Sequence, residues 1–188
     1  MNVILASGSR SRRQALDLLG LTYKVIPSNI NERAVQHKSP EKRAQILAEE
    51  KAKAVAKDQK DAIIIASDLF VVFNGKIYEK PKDKEEAFRM LKGFSRQKLQ
   101  IVAGIAVYNT KTELMLSSTE SYFPTFRKLT DKEIKNYIEK HPILEYAAGF
   151  AADGEIRFAE KSEGCFPFMY GIPTSTLILY LRQNNIDI

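Results

Sequence analysis

The sequence predicts an α/β protein built on a mixed sheet, because segments typical of strands and helices alternate along the chain. The alternation starts with an apolar run at 3–6 and a helical pattern that ends at Gly20, and it closes with a helix begun by Pro173. An Asn-Gly pair at 74–75 and an Asn-Thr pair at 109–110 each separate two strand-like runs. Such hairpins give antiparallel neighbours, so the sheet is not expected to be purely parallel.

The elements of the first half follow from apolar runs and from residues that start or stop helices. The predicted strands are 3–6, 22–26, 61–67, 69–73 and 76–78, and the predicted helices are 12–19 and 40–57. Gly20 ends the first helix, and Pro40 is suited to the first position of the second. Asp68 interrupts the apolar run between two of the strands. A polar loop at 28–38 holds Glu32.

The elements of the second half depend on two capping signals. Asp83 with Glu86, and Thr130 with Glu133, have the spacing at which a side chain and a backbone N–H group cap each other at a helix start. The predicted helices are 84–92, 131–140 and 173–182, and the predicted long strands are 98–108 and 114–126. The glycine-containing stretch 148–161 is expected to be extended in parts.

Composition indicates one globular domain covering 1–188, since 188 residues with 44% hydrophobic content are enough for one sizeable core. The net charge is +6, but the lysines are scattered among acidic residues. This favours a localised anion site, and no nucleic-acid partner is expected. No apolar run is long enough to span a bilayer and no signal-peptide pattern is present, so we expect a cytoplasmic protein without a membrane partner.

Catalysis by a cysteine–histidine or serine–histidine pair has little support. The single cysteine, Cys165, excludes an intrachain disulfide and a cysteine zinc cluster, and no histidine lies near it in sequence. His37 and His141 lie in polar connections or beside proline, which is typical of solvated loop histidines.

The first strand ends in a loop suited to an anion. Ser7 and Ser9 offer hydroxyl donors, and Arg12 and Arg13 offer forked donors that match phosphate oxygens. Unpaired backbone N–H groups at a helix start favour the same ligand, whereas arginines there oppose the helix dipole. The residues alone leave two interpretations open: an anion site or a solvated basic loop.

Three further charged residues break their local pattern. Asp68 interrupts an apolar strand, Lys51 shares a helix face with apolar residues four positions away on either side, and Lys80 is held before a proline after a hairpin. A turn aspartate and a lysine whose stem covers apolar surface remain alternatives. Together with the arginine loop and Glu32, these residues supply the cations and carboxylates that polyphosphate chemistry needs. No Walker loop and no dinucleotide-binding glycine motif is present.

An ordered set of motifs resembles the Maf family of nucleotide pyrophosphatases over nearly the whole chain. The motifs are Leu5-Ala6-Ser7-Gly8-Ser9 with Arg12-Arg13, then residues 47–52, Ser67-Asp68, Glu79-Lys80-Pro81 and Gly171-Ile172-Pro173. The resemblance implies a cytosolic enzyme that cleaves a nucleoside triphosphate to the monophosphate and pyrophosphate with a divalent metal, Mg²⁺ or Mn²⁺. It also implies an elongated mixed sheet with flanking helices and two lobes around a cleft, and it makes a homodimer possible.

The resemblance also implies roles for individual residues. Asp68 is the expected general base or metal ligand, and Glu32 assists with the metal. Lys51 and Lys80 are expected to act on the phosphates during catalysis. The remaining phosphate ligands are Ser7, Ser9, Arg12 and Arg13.

Specificity is expected to depend on Ser11, Leu69 and Asp153, where the chain departs from both branches of the family. Asp153 aligns with a position that is Gln in the pyrimidine branch and Glu in the 7-methyl-GTP branch. A carboxylate only accepts hydrogen bonds, and guanine presents two adjacent donors, so a 7-methyl-GTP-like substrate is favoured. The alternatives are a dTTP/UTP-type pyrophosphatase and a regulatory module, linked to cell division, that has lost catalysis.

Overall fold

The computed structural model describes residues 1–164 and 170–188, and their α/β architecture confirms the predicted class. The strands are β1 (Asn2–Leu5), β2 (Lys24–Val25), β3 (Ala62–Phe73), β4 (Lys76–Tyr78), β5 (Gln100–Asn109), β6 (Leu114–Phe126) and β7 (Ala159–Glu163). The helices are α1 (Arg10–Leu18), α2 (Pro40–Ala56), α3 (Lys84–Phe94), α4 (Asp131–Lys140), α5 (Ala152–Phe158) and α6 (Thr174–Gln183). Short 3-10 turns lie at Glu32–Ala34, Ile143–Glu145 and Ala147–Gly149.

The described strands form a seven-stranded mixed sheet in the order β2-β1-β3-β5-β6-β7, with β4 paired to β3. Strand β1 runs parallel to β2 and β3, whereas β4 is antiparallel to β3 and β7 is antiparallel to β6. The predicted Asn-Gly hairpin is confirmed: Phe73 pairs with Lys76, and Asn74 and Gly75 both have positive φ, as the tight hairpin turn requires. None of the described helices has the length and apolar character needed to cross a membrane.

The chain divides into two compact units. The first unit contains Met1–Leu69, Ala103–Glu120 and Tyr170–Ile188, and the second contains Phe70–Val102 and residues 121–164. Strands β3, β5 and β6 contribute residues to both units.

The core of the first unit lies on both faces of β1 and β3. Val3, Leu5, Ile63 and Ile65 pack with side chains of α1 and α6, whereas their neighbours along the two strands pack with side chains of α2. Successive side chains of a strand point to opposite faces. The continuous apolar runs of these strands are therefore explained by helices that cover both faces of the parallel part of the sheet.

The second unit is held by an aromatic core. Phe126 lies with its ring centroid 5.1 Å from that of Phe150 and 5.7 Å from that of Phe158, in tilted or edge-on geometry. Tyr137 of α4 packs edge-on to Phe158 at 4.9 Å. Such edge contacts between buried rings stabilise the packing of α4 and α5 on the sheet.

At Gly104 of β5 the backbone of α2 lies directly against the sheet. A Cβ atom at Gly104 would lie 2.2 Å from the backbone oxygen of Ala44 in α2. We expect Gly104→Ala to lower the free energy of unfolding by about 3 kcal/mol, because the added methyl group overlaps backbone atoms and the helix or the strand must shift. Gly93 of α3 is the matched control, since a Cβ there meets nothing within 4 Å. Gly93→Ala is expected to stabilise by about 0.5 kcal/mol. Denaturant unfolding measures both changes, and equal effects at the two positions would contradict the steric argument.

The structure corrects several expected elements. The prediction that the strand is interrupted at Asp68 was wrong. Strand β3 runs unbroken through this residue, because the side chains of Ser67 and Asp68 are both hydrogen-bonded. Helix α1 starts two residues earlier than predicted, at Arg10, and β2 is limited to Lys24–Val25. The stretch 148–161 was expected to be extended in parts: it is extended from Ala159, where β7 begins, but it also contains the unpredicted helix α5. Cys165 lies outside the described residues.

Candidate functional site

The loop between β1 and α1 is ordered by its own serines. Ser9 caps α1, its side chain accepting from the backbone N–H of Arg12 at 3.4 Å. Ser7, only 7% exposed, accepts from the backbone N–H of Ser9 at 3.2 Å and from Nη1 of Arg12 at 2.9 Å. The two serines of the predicted anion loop therefore also determine where α1 starts and how the Arg12 side chain is oriented.

Arg12 links this loop to the segment before α6. Its Nε donates to the carbonyl oxygen of Gly171 at 3.0 Å, and the Ser67 hydroxyl donates to the same oxygen at 3.0 Å. Burial lowers the pKa of the Arg12 guanidinium, while the charges of Asp68 and Glu32 offset part of that effect. Arg12 is thus a partly desolvated cation with a fixed orientation.

Lys51 lies between two carboxylates. Its Nζ is 2.5 Å from Oδ1 of Asp68 and 2.8 Å from Oε1 of Glu32. Lys51 and Asp68 are 5% and 6% exposed, whereas the Glu32 side chain is 56% exposed. The helical spacing predicted the burial of Lys51, which shares the inner face of α2 with Leu47 and Val55.

The structure therefore brings six of the predicted site residues together in the first unit: Ser7, Ser9, Arg12, Glu32, Lys51 and Asp68. Arg13 is exposed, and Ser11 and Leu69 are half-buried. Sequence reasoning gave no role to Ser67 or to the carbonyl of Gly171. Both residues lie in motifs that carry the family resemblance, but their shared hydrogen-bond acceptor depends on contacts between distant segments and could not be predicted.

The other two predicted residues lie in the second unit. Lys80 is exposed and lines a cavity of about 530 Å³ with residues that include Tyr78, Glu86 and Arg89. Asp153, near the start of α5, accepts a hydrogen bond from the Tyr137 hydroxyl at 3.2 Å and pairs with Nδ1 of His141.

His141 corrects the expectation of a solvated loop histidine. Its side chain is 19% exposed, and its ring stacks on that of Tyr137 at 4.4 Å between centroids. His37 is exposed, as expected, and its Nδ1 accepts from the backbone N–H of Ser39 at 3.1 Å.

The donor set of the first unit fits a divalent cation that is bound together with phosphate. Glu32 and Asp68 already reach a common cationic atom, Nζ of Lys51. Mg²⁺ is usually held by one or two carboxylates, with substrate phosphates and waters completing its shell. Within the described residues, no group of three or more His, Cys, Asp or Glu residues is placed to hold a metal by itself. The two carboxylates suit a metal that arrives with its ligand rather than a permanent protein cage.

A cluster of arginine, lysine, hydroxyl and carboxylate groups on an α/β fold is typical of proteins that bind phosphorylated ligands. The comparison with known proteins agrees with this class and narrows it. The family model described as Maf-like protein matches residues 2–184, and the chain belongs to the Maf family.

Curated relatives of two kinds are similar to the chain over nearly its whole length. A 7-methyl-GTP pyrophosphatase from Idiomarina loihiensis is 36% identical over 98% of this chain and 96% of its own. A dTTP/UTP pyrophosphatase from Ruminiclostridium cellulolyticum is 33% identical over 98% and 96%, and one from a Thermoanaerobacter species is 37% identical over 97% and 96%. A HAM1 protein from Coxiella burnetii matches 67% of this chain and 73% of its own with a TM-score of 0.37 and 17% identity.

Proposed function

We propose that the protein is a nucleoside triphosphate pyrophosphatase, which converts its substrate and water to the nucleoside monophosphate and pyrophosphate. The observation that carries the proposal is the buried contact of Lys51 with Asp68, with Arg12 oriented by Ser7 and Gly171 in the same unit. This arrangement offers cations for the phosphates and a carboxylate for water. The pyrophosphatase names of both kinds of relative support it.

The proposed mechanism assigns the proton transfer to Asp68. Its carboxylate takes a proton from water as the water oxygen attacks the α-phosphorus, and the bond between that phosphorus and the bridging oxygen to the β-phosphate breaks. Pyrophosphate leaves with the electron pair of that bond. Lys51 compensates the charge of the carboxylate and, with Lys80, is proposed to stabilise negative charge on the phosphates.

The arginine loop is proposed to hold the triphosphate. Arg12 uses Nε and one Nη1 hydrogen in the contacts with Gly171 and Ser7, and a guanidinium carries five N–H donors. Its remaining donors, Arg13, the Ser7 and Ser9 hydroxyls and the N–H groups at the start of α1 are the proposed phosphate ligands.

Glu32 and Asp68 are the proposed ligands of a divalent metal, Mg²⁺ or Mn²⁺. Such an ion, when bound, neutralises phosphate charge and polarises the phosphorus–oxygen bonds. The support is the convergence of the two carboxylates on one cation, Lys51.

For the base we propose a guanine-type preference, of the 7-methyl-GTP kind, determined by Asp153 with contributions from Ser11 and Leu69. A carboxylate at residue 153 accepts hydrogen bonds from adjacent donors, which guanine has and uracil lacks. We also propose that residues 1–188 act as a single functional domain, because the family match runs from residue 2 to residue 184.

A substrate panel tests the proposed function. Purified protein is incubated with GTP, 7-methyl-GTP, UTP, dTTP and deaminated triphosphates, with magnesium, manganese or a chelator, and pyrophosphate is measured. We expect release that requires the metal and is fastest with a guanine-type base. Nucleotide binding without pyrophosphate release would contradict the proposal and favour a regulatory binding module, and fastest release from UTP or dTTP would contradict the base preference.

A further inference from the structure

Asp153 is held by two neighbours that the proposed chemistry leaves without a role. The Tyr137 hydroxyl donates to Oδ1 at 3.2 Å, and Nδ1 of His141 pairs with Oδ2. The two partners stack on each other, with an interplanar angle of 24°. Each oxygen of the Asp153 carboxylate thus has its own partner, and the stacking of Tyr137 on His141 holds the two partners together.

The packing around Tyr137 holds its hydroxyl group in place beside Asp153. Tyr137 is 1% exposed, and a Cβ atom added at Gly154 would lie 2.7 Å from its hydroxyl oxygen and 2.9 Å from Cβ of Phe150. The residue after Asp153 is therefore glycine because the tyrosine occupies the space. Burial and the charge of Asp153 raise the pKa of Tyr137, so its hydroxyl stays protonated and remains a donor.

The hydrogen bonds also determine what the carboxylate offers to a ligand. Each carboxylate oxygen has two acceptor positions. Tyr137 uses one position of Oδ1, and His141 uses one position of Oδ2. One acceptor position per oxygen is left for a ligand. Guanine presents two adjacent donors, N1–H and the N2 amino group, which match such a pair, whereas uracil and thymine place carbonyl oxygens on both sides of a single N–H group.

We propose that Tyr137 and His141 are positioning residues that orient the Asp153 carboxylate for recognition of a guanine-type base. The inference rests on the proposed function and deepens it, since it names residues that determine the substrate class. Neither residue touches the reacting phosphates in this proposal. Their effect is expected on substrate affinity and selectivity, and the rate of the chemical step is expected to stay unchanged.

The test compares Tyr137→Phe and His141→Ala with the wild-type protein. Tyr137→Phe keeps the ring and removes one donor, and His141→Ala removes the other. We expect either change to raise the KM for GTP and 7-methyl-GTP about tenfold. Without one of its two donors the Asp153 carboxylate is no longer held in place, and its charge-assisted hydrogen bonds to the base are weakened. The kcat for these substrates and both constants for UTP are expected to stay within about twofold of wild type.

Matched variants separate positioning from a structural role. His141→Asn places an amide donor near the site of Nδ1 and is expected to restore much of the affinity for GTP. His37→Ala removes an exposed histidine and is expected to change nothing. Asp153→Gln is expected to shift the preference toward UTP, because an amide supplies both a donor and an acceptor.

Three results would overturn the inference. One is a fall in kcat/KM by the same factor for GTP and UTP in both variants, accompanied by a lower melting temperature, because that pattern means a structural role. Another is unchanged KM for guanine-type substrates in folded variants, as judged by circular dichroism. The third, wild-type protein that releases no pyrophosphate from any triphosphate, is seen before any variant is made and overturns the proposed function as well.

Discussion

Replacement of Asp68 by asparagine is expected to lower the rate of pyrophosphate release by about 10²–10⁴-fold, the range found when a general base is lost. Asparagine has the shape of aspartate but does not accept a proton from water. The fold should survive, because Lys51 keeps its contact with Glu32 and the asparagine oxygen still accepts a hydrogen bond from Nζ. The measurement is steady-state pyrophosphate release at neutral pH, together with thermal unfolding.

Asp58→Asn is the matched control for this change. Asp58 is exposed and lies just beyond the end of α2 in the same unit, so its neutralisation is expected to leave the rate unaltered. Turnover by Asp68→Asn within tenfold of wild type would refute the role of Asp68 as the base.

Lys51→Met is expected to have the second largest effect, on stability as well as activity. Methionine fills much of the same volume but leaves the carboxylate of Asp68, which is only 6% exposed, without its cation. Removing one partner of a buried ion pair costs about 3 kcal/mol, and we expect a loss of unfolding free energy near that size. The loss of positive charge at the phosphates is expected to lower the rate by at least about a hundredfold.

The same variant also reports on the metal. With the ammonium gone, a divalent ion can take its place between Glu32 and Asp68, so Mg²⁺ or Mn²⁺ is expected to raise the melting temperature of Lys51→Met more than that of wild type. Lys53→Met is the control, since Lys53 lies on the solvent side of the same helix and pairs with Glu50 at 3.0 Å. Equal metal-induced shifts in the two variants would argue against Glu32 and Asp68 as metal ligands.

The helical part of the fold could be predicted from sequence because its signals are local. The capping box of Thr130 and Glu133 is present as expected, and so is the start of α2 at Pro40. The burial of Lys51 followed from helical spacing alone. These features involve residues at most four positions apart, so a single sequence contains the information.

The errors arose where distant contacts decide the conformation. A carboxylate inside an apolar run indicated a break at Asp68, yet the strand continues because Lys51 donates a hydrogen bond to Asp68 and Gly171 accepts one from its neighbour Ser67. Helix α5 was missed because Gly154 weakens the helical pattern, and the reason for that glycine is Tyr137, 17 positions earlier in the chain. The partners of Asp153 could not be predicted for the same reason.

The contact between Gly104 and Ala44 has a consequence for the reach of Lys51. Ala44, Leu47 and Lys51 lie on one face of α2, and the helix meets the backbone of β5 at the first of them. At this depth the Lys51 ammonium reaches Oδ1 of Asp68 in β3, and a side chain at residue 104 is expected to push α2, and Lys51 with it, away from the sheet. The contact of Lys51 with Asp68 therefore depends on Gly104, a residue that has no side chain and takes no part in the proposed chemistry.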